Sequence, residues 1–397
     1  MVWSEIISQN RVVEALRREM EQERIAHAYL FHGPDGVGKR AVALALGQAL
    51  QCGTLLEARR AGNANETTQE ACGTCAACMK ASRMMHPDIQ VLFPYPSDTK
   101  PEDVAERLRA FAGNPYAPFD YVRRPSLNDP KKVSNKQAIY TVARVNQELR
   151  RSMSFKPVEG QYKVVLLTDV EAMRLEAANA FLKLLEEPSG ATIFILITTR
   201  PDRLLPTIIS RCQRMRFDTL HADDIQHALV QRAGLEADRA TMLARMANGS
   251  YSRALELSEN EELLGNRQMV LDFFRLSYTQ HTDKIADIIQ QMNGLGRERL
   301  KGLLTLMLSW VRDLMLYKVT GEEALLVNID QFQTIKAFCD KVPNAQIEAM
   351  VSLVEEAIEL VGRNVQNNLI LTVLANNLFL AMHGAPDDRL YVPLHEA

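Results

Sequence analysis

Two groups of residues in this chain carry the means to do chemistry. Gly33-Pro34-Asp35-Gly36-Val37-Gly38-Lys39-Arg40 has the spacing of a phosphate-binding loop. Glycines at 33, 36 and 38 let backbone amides curl around an anion, and Lys39 can set its ammonium against terminal phosphates. The next position normally gives magnesium a Ser or Thr hydroxyl, but here it is Arg40, a cation that cannot ligate a metal ion. Asp169 offers a carboxylate for magnesium, while the general-base position beside it is Val170. Glu171 comes one residue late, and a shift of one residue at a strand end aims the side chain elsewhere. With two defects in one site, the first expectation is a loop retained as a strand-to-helix junction. Nucleotide binding without turnover comes second and ATP hydrolysis third.

The second group is Cys72, Cys75 and Cys78 at Cys-x-x-Cys spacing, with Cys52 placed to complete a set of four. Four sulfurs without histidine predict a structural Zn2+ site, closed by thiolates and leaving no position for a catalytic water. Residues 53–71 form a polar stretch expected to loop out between Cys52 and Cys72. Cys212 and Cys339 stand alone.

The elements that must position these groups follow from apolar periodicity. Val12 to Glu23 has helical spacing, Ala28 to Phe31 reads as a short buried strand, and Lys39 to Gln51 as the helix after the loop. Lys163 to Asp169 is a second buried strand, Ala172 to Glu187 a helix closed by Pro188 and Gly190, and Ala191 to Thr198 a third strand. Strand and helix alternate, so the fold class is α/β with a parallel, helix-covered sheet. After about Phe217 strand signals vanish, and amphipathic helices run to about His383. Residues 95–137 read as an inserted excursion, partly ordered, with one short helix around Ala105 to Ala112. Its Lys131, Lys132 and Lys136 are expected on a solvated loop rather than against nucleic acid. The final stretch from Gly384 is expected to be a loose tail.

At 397 residues and 47% hydrophobic content, two or three domains are expected. A formal net charge of −3 argues against coating nucleic acid by bulk charge. No segment approaches the ~20 apolar residues of a membrane span, and a soluble, cytoplasmic protein is expected.

Further residues carry a resemblance. Gln9-Asn10, the run from His27 to Gly33, the phosphate loop, the cysteine cluster and His86-Pro87-Asp88 resemble the opening of clamp-loader AAA+ subunits. Asn179 to Pro188, followed by Thr198-Thr199-Arg200-Pro201 and Ser210-Arg211-Cys212, is similar in order and spacing to bacterial DNA polymerase III gamma/tau and delta-prime subunits. The resemblance covers residues 1 to 262, apart from the insertions. It implies an AAA+ P-loop domain over 1–218, with a four-cysteine zinc module at 52–78 and the insertion at 95–137. A small helical lid domain over 219–262 and an all-α collar domain for oligomerisation over 263–397 would follow.

Within that family gamma/tau subunits are motors, and Arg40, Val170 and a chain ending soon after the collar-like helices favour the delta-prime type. The resemblance implies a pentameric ring with gamma/tau and delta subunits that loads a sliding clamp at primed DNA, in a bacterial cytoplasm, with this chain as stator. It makes Arg211 an arginine finger reaching a neighbour's ATP site, Thr198 a sensor and Arg253 the lid arginine near phosphates. His27 and His86 are expected to pack or cap. DNA contacts would go to phosphates, insensitive to sequence. Two alternatives stand beside this: an ATP-hydrolysing motor of the gamma/tau type, and a zinc-dependent nucleic-acid-binding module with a vestigial loop.

Overall fold

A computed structural model of the chain describes residues 1–61, 70–121, 124, 126–127, 137–150, 156–186, 191–259, 261–328, 331–363, 365–385 and 390. The chain divides into two compact units: Met1–Leu235 with Ala247–Glu256, and Glu236–Met246 with Leu257–Ala397. Among the described residues no single helix is long and apolar enough to cross a membrane.

The first unit is built on five strands: β1 (Ala28–His32), β2 (Ile89–Leu92), β3 (Lys163–Leu167), β4 (Thr192–Thr198) and β5 (Gln213–Arg216). They form one parallel sheet in the order β2-β3-β4-β1-β5. The three central strands are buried on both faces, which is why they read as unbroken apolar runs. The two edge strands are short, and neither was legible as a strand. In β5 only Met215 is buried among Gln213, Arg214 and Arg216, the charged dress that protects a sheet edge from pairing.

The helices of this unit include α1 (Asn10–Glu21), α2 (Lys39–Gln51), α3 (Gly53–Arg60), α4 (Ala76–Ser82), α5 (Pro101–Gly113), α6 (Leu175–Glu186), α7 (Pro206–Ile209) and α8 (Ala222–Ala233). Every residue of α2 is buried, Lys39 and Arg40 included, so the helix after the phosphate loop is a core element. A hydrophobic cluster of Leu30, Val165, Leu167, Phe181, Phe194 and Leu196 ties α6 to the sheet.

Two sequence expectations need correction. Residues 53–60 do not loop out but form α3, directly after the turn at Cys52. The insertion carries a longer helix than the one expected: α5 runs from Pro101 to Gly113, with Pro101 at its first turn and Glu102 and Asp103 favourably placed at its amino end. Its Phe111 packs on Phe119, and Phe119 on Phe93, with ring centroids 4.7 and 5.0 Å apart. Lys131, Lys132, Lys136, Pro188 and Gly190 lie outside the described residues.

The His86-Pro87-Asp88 motif is a local clamp. The Asp88 carboxylate accepts N–H bonds from Val158, Glu159 and Gly160 at 2.7, 2.8 and 2.8 Å. His86 Nδ1 accepts the Asp88 amide at 3.2 Å, a capping role. The motif thus fastens the chain entering β3 to the chain entering β2.

The second unit is helical: α9 (Ala237–Met246), α10 (Tyr251–Glu259, whose first turns belong to the first unit), α11 (Glu261–Thr279), α12 (Thr282–Gly294), α13 (Arg297–Thr320), α14 (Phe332–Lys341), α15 (Ile347–Gly362) and α16 (Asn367–Met382). Helix α13 packs against α15, and α15 against α16. Inside this bundle Asp313 accepts the Val327 and Asn328 amides and the Asn328 side chain, whose oxygen in turn accepts from Arg267 at 2.8 Å. A buried carboxylate is stable there because its lone pairs are used.

Candidate functional site

The phosphate loop joins β1 to α2 with Gly33, Gly36 and Gly38 all at positive φ, a backbone that only glycine adopts without strain. A Cβ on Gly33 would sit 2.2 Å from the Phe217 carbonyl oxygen, and one on Gly36 2.1 Å from Ser250 Oγ. The loop is therefore closed in by its own chain. The Tyr251 and Ser252 amides donate to the Gly36 carbonyl at 3.1 and 3.4 Å, and the Tyr116 ring lies against Gly38. The Tyr116 hydroxyl accepts the Ile7 amide at 3.1 Å, and Ser252 Oγ donates to the Tyr116 carbonyl. Lys39 turns inward, donating from Nζ to the Gly33 carbonyl at 2.8 Å and to the Pro34 carbonyl. Arg40 extends over the Phe119 ring.

A cavity of about 20 Å³ remains, lined by Gly36, Gly38, Lys39, Arg40, Thr168, Asp169 and Thr198 among others, room for about one water. Of the expected loop residues, Gly36, Gly38, Lys39 and Arg40 converge with Asp169 and Thr198 in this cleft, and Gly33 is not among its lining. A guanidinium stands at the position where magnesium would need a hydroxyl, the lysine is bonded to its own loop, and Tyr116 and Ser252 help to wall in the cavity.

The strand tips explain the other defect. Asp169 follows β3 at a φ of 50° and reaches the cleft, whereas Val170 is buried in the hydrophobic cluster under the sheet. Glu171 accepts both the Thr199 amide and hydroxyl, at 3.2 and 2.9 Å, so its carboxylate is committed to the turn after β4. Thr198 accepts the Arg200 amide on its hydroxyl at 3.0 Å. Sequence reasoning missed several lining residues, Thr168, Tyr116 and Ser252 among them. Thr168 reads as an ordinary strand former, Tyr116 lies in a stretch without periodicity, and Ser252 is distant in sequence.

The four cysteines do come together. Their sulfurs all lie within 4.8 Å of one another, and Cys72 Sγ and Cys78 Sγ are 3.9 Å apart. A tetrahedral ion with metal–sulfur bonds of ~2.3 Å needs sulfurs ~3.8 Å apart, so the group could hold a metal ion. Amides of Cys72, Cys75 and Cys78 donate to the sulfurs of Cys52, Cys72 and Cys75 at 3.3, 3.3 and 3.5 Å, which favours thiolates. The hydrogen bond between Cys52 and Cys78 pulls the Cys52 thiol below the usual thiol range and pushes that of Cys78 above it. Cys52 ends α2 and Cys75 caps α4, so the cluster staples two helices.

Ser210-Arg211-Cys212 follows α7. Cys212 is buried in the hydrophobic cluster, and burial pushes its thiol up to about 12, so it is an inert anchor. Arg211 points outward with 36% of its side chain exposed, and it is not among the residues lining the chain's own cleft. Arg253, on α10, is also absent from that lining, although its neighbour Ser252 belongs to it.

This architecture has known counterparts. The family described as "DNA polymerase III, delta subunit" matches residues 8–221. The DNA polymerase III subunit delta' of Pseudomonas aeruginosa is 30% identical over 326 residues, 82% of this chain and 82% of that protein. The chain belongs to this family of clamp-loader AAA+ subunits. The delta' of Bacillus subtilis is 28% identical over 367 residues, covering 91% of this chain and 94% of the relative. Subunit tau of the same organism is 24% identical over 377 residues, but the match spans 57% of tau's length.

Proposed function

We propose that this clamp-loader subunit is a stator of the delta-prime type, which hydrolyses no ATP and lends Arg211 to the ATP site of a neighbouring gamma/tau subunit. The observation that carries this reading is a contrast within one domain. The chain's own cleft holds about one water's volume and is walled in by Tyr116 and Ser252, while Arg211 stands outside it, half-exposed on a rigid base. An arginine supplied in trans neutralises charge on a transferring phosphoryl group, an effect of about 10³–10⁵ in rate in GTPases.

In this reading residues 1–218 form the AAA+ domain, 219–262 the lid and 263–397 the collar. The collar assembles with gamma/tau and delta subunits into a five-membered ring in the bacterial cytoplasm. The ring opens a sliding clamp and places it on primed DNA through phosphate contacts. The four cysteines hold one structural Zn2+.

Reconstitution tests the reading. The chain alone should show no Lys39-dependent ATP turnover, and Arg211→Ala should leave folding and assembly intact while lowering the DNA-stimulated ATPase of the complex at least tenfold. An unchanged rate would remove the finger role, and robust turnover by the isolated chain would remove the stator.

A further inference from the structure

Arg211 is held at two points. Its Nη2 pairs with Glu186 Oε1 at 2.5 Å, and its Nη1 donates to the Thr207 carbonyl at 2.9 Å. The two anchors come from different elements. Glu186 is the last residue of α6, whose Ala177, Phe181 and Leu185 are fixed in the core. Thr207 belongs to α7, and its carbonyl also accepts the Ser210 hydroxyl at 3.1 Å.

With side chains 36% and 48% exposed, the pair of Arg211 and Glu186 contributes little to stability. Its consequence is geometric. An unrestrained arginine samples many rotamers and loses that freedom when it meets a phosphate. A guanidinium has five N–H groups. The two hydrogen bonds use two of them and leave three for an anion.

We infer that Glu186 is a positioning residue for the Arg211 finger, orienting the guanidinium so that a neighbouring subunit's triphosphate meets it already aligned. The inference rests on the in-trans role of Arg211 proposed above. Alignment that matters only as charge develops on the transferring group lowers kcat when it is lost, without weakening ground-state binding.

The test is a double-mutant cycle in the reconstituted clamp loader, with kcat and KM for ATP measured in the presence of clamp and primed DNA. Glu186→Ala should lower kcat about 3–10-fold, leave KM and assembly unchanged, and shift the chain's melting temperature little, because a largely exposed ion pair contributes little to stability. Glu186→Gln, which keeps one acceptor oxygen, should lie between Glu186→Ala and the parent. In an Arg211→Ala background, Glu186→Ala should change nothing further. If Arg211→Ala lowers kcat while Glu186→Ala does not, Glu186 positions nothing and the finger stands. A loss on Glu186→Ala that persists in full without Arg211 also overturns the inference. If Arg211→Ala itself leaves kcat unchanged, the finger reading fails, and this inference fails with it.

Discussion

The guanidinium of Arg40 lies over the ring of Phe119, 5.2 Å from its centroid. The residue that departs from the phosphate-loop pattern is thus tied to the segment inserted between β2 and β3, and the two peculiarities of this chain are one structural unit. Arg40 is 7% exposed and Phe119 1%. Cation and ring are desolvated together, where such a contact is worth about 2 kcal/mol. Phe119 in turn sits three residues beyond Tyr116, which lies against Gly38. Loss of the hydroxyl donor and closure of the cleft are therefore coupled in space as well as in effect.

Restoring the hydroxyl alone should not restore an ATPase. Arg40→Thr supplies the missing oxygen donor but leaves Tyr116 and Ser252 where they are. The expected result is no ATP turnover above background and a fold destabilised by about 1–3 kcal/mol, through loss of a buried cation's contacts. Denaturant unfolding and a steady-state ATPase assay on the purified chain measure both. Turnover by this single variant would mean that the cleft opens readily in solution.

Removing metal should loosen the first unit selectively. The cluster joins the end of α2, a helix buried along its whole length, to the start of α4. Thiolates left without an ion repel one another, and binding energies of about 10–16 kcal/mol are seen for structural zinc in small peptides. Elemental analysis should find one metal ion per chain, and chelation should lower the melting transition and expose amides around Cys52 and Cys78 to hydrogen exchange. Cys78→Ser should do the same without chelator. A metal-free chain that melts like the untreated protein would reduce the cysteines to packing residues.

How much of this was written in the sequence depends on where each residue gets its signal. The central strands were legible because burial on both faces leaves an unbroken apolar run, as at Thr192–Thr198. The phosphate loop and the cysteine spacing were legible because their chemistry is local. The edge strand Gln213–Arg216 was not, since three of its four side chains face water. Tyr116 was not legible either: its role comes from meeting Gly38, Ile7 and Ser252, which only the folded chain brings together. The shift between Asp169, Val170 and Glu171 was readable in outline. That Val170 would enter the core while Glu171 bonds Thr199 follows from the turn after β3, not from the residue types.

Acid should weaken the chain through Asp88. Burial alone would raise this carboxyl, but N–H bonds from Val158, Gly160 and Glu159 outweigh it and hold Asp88 below the usual carboxylate range. In the unfolded chain the same group titrates near ~3.9. A folded value below the unfolded one means that the folded state binds fewer protons. The resulting stabilisation is therefore complete well above pH ~4, falls as pH drops through that value, and is gone once pH passes below the folded pKa. Asp88→Asn keeps the shape but cannot accept three donors with a charge, so at pH 7 it should cost about 1–3 kcal/mol. The gap between parent and variant should then narrow on going from pH 5 to pH 3, because the parent alone loses the contribution of Asp88. Urea midpoints for both proteins across that range measure it, and a gap constant with pH would show that the three amides gain nothing from the charge.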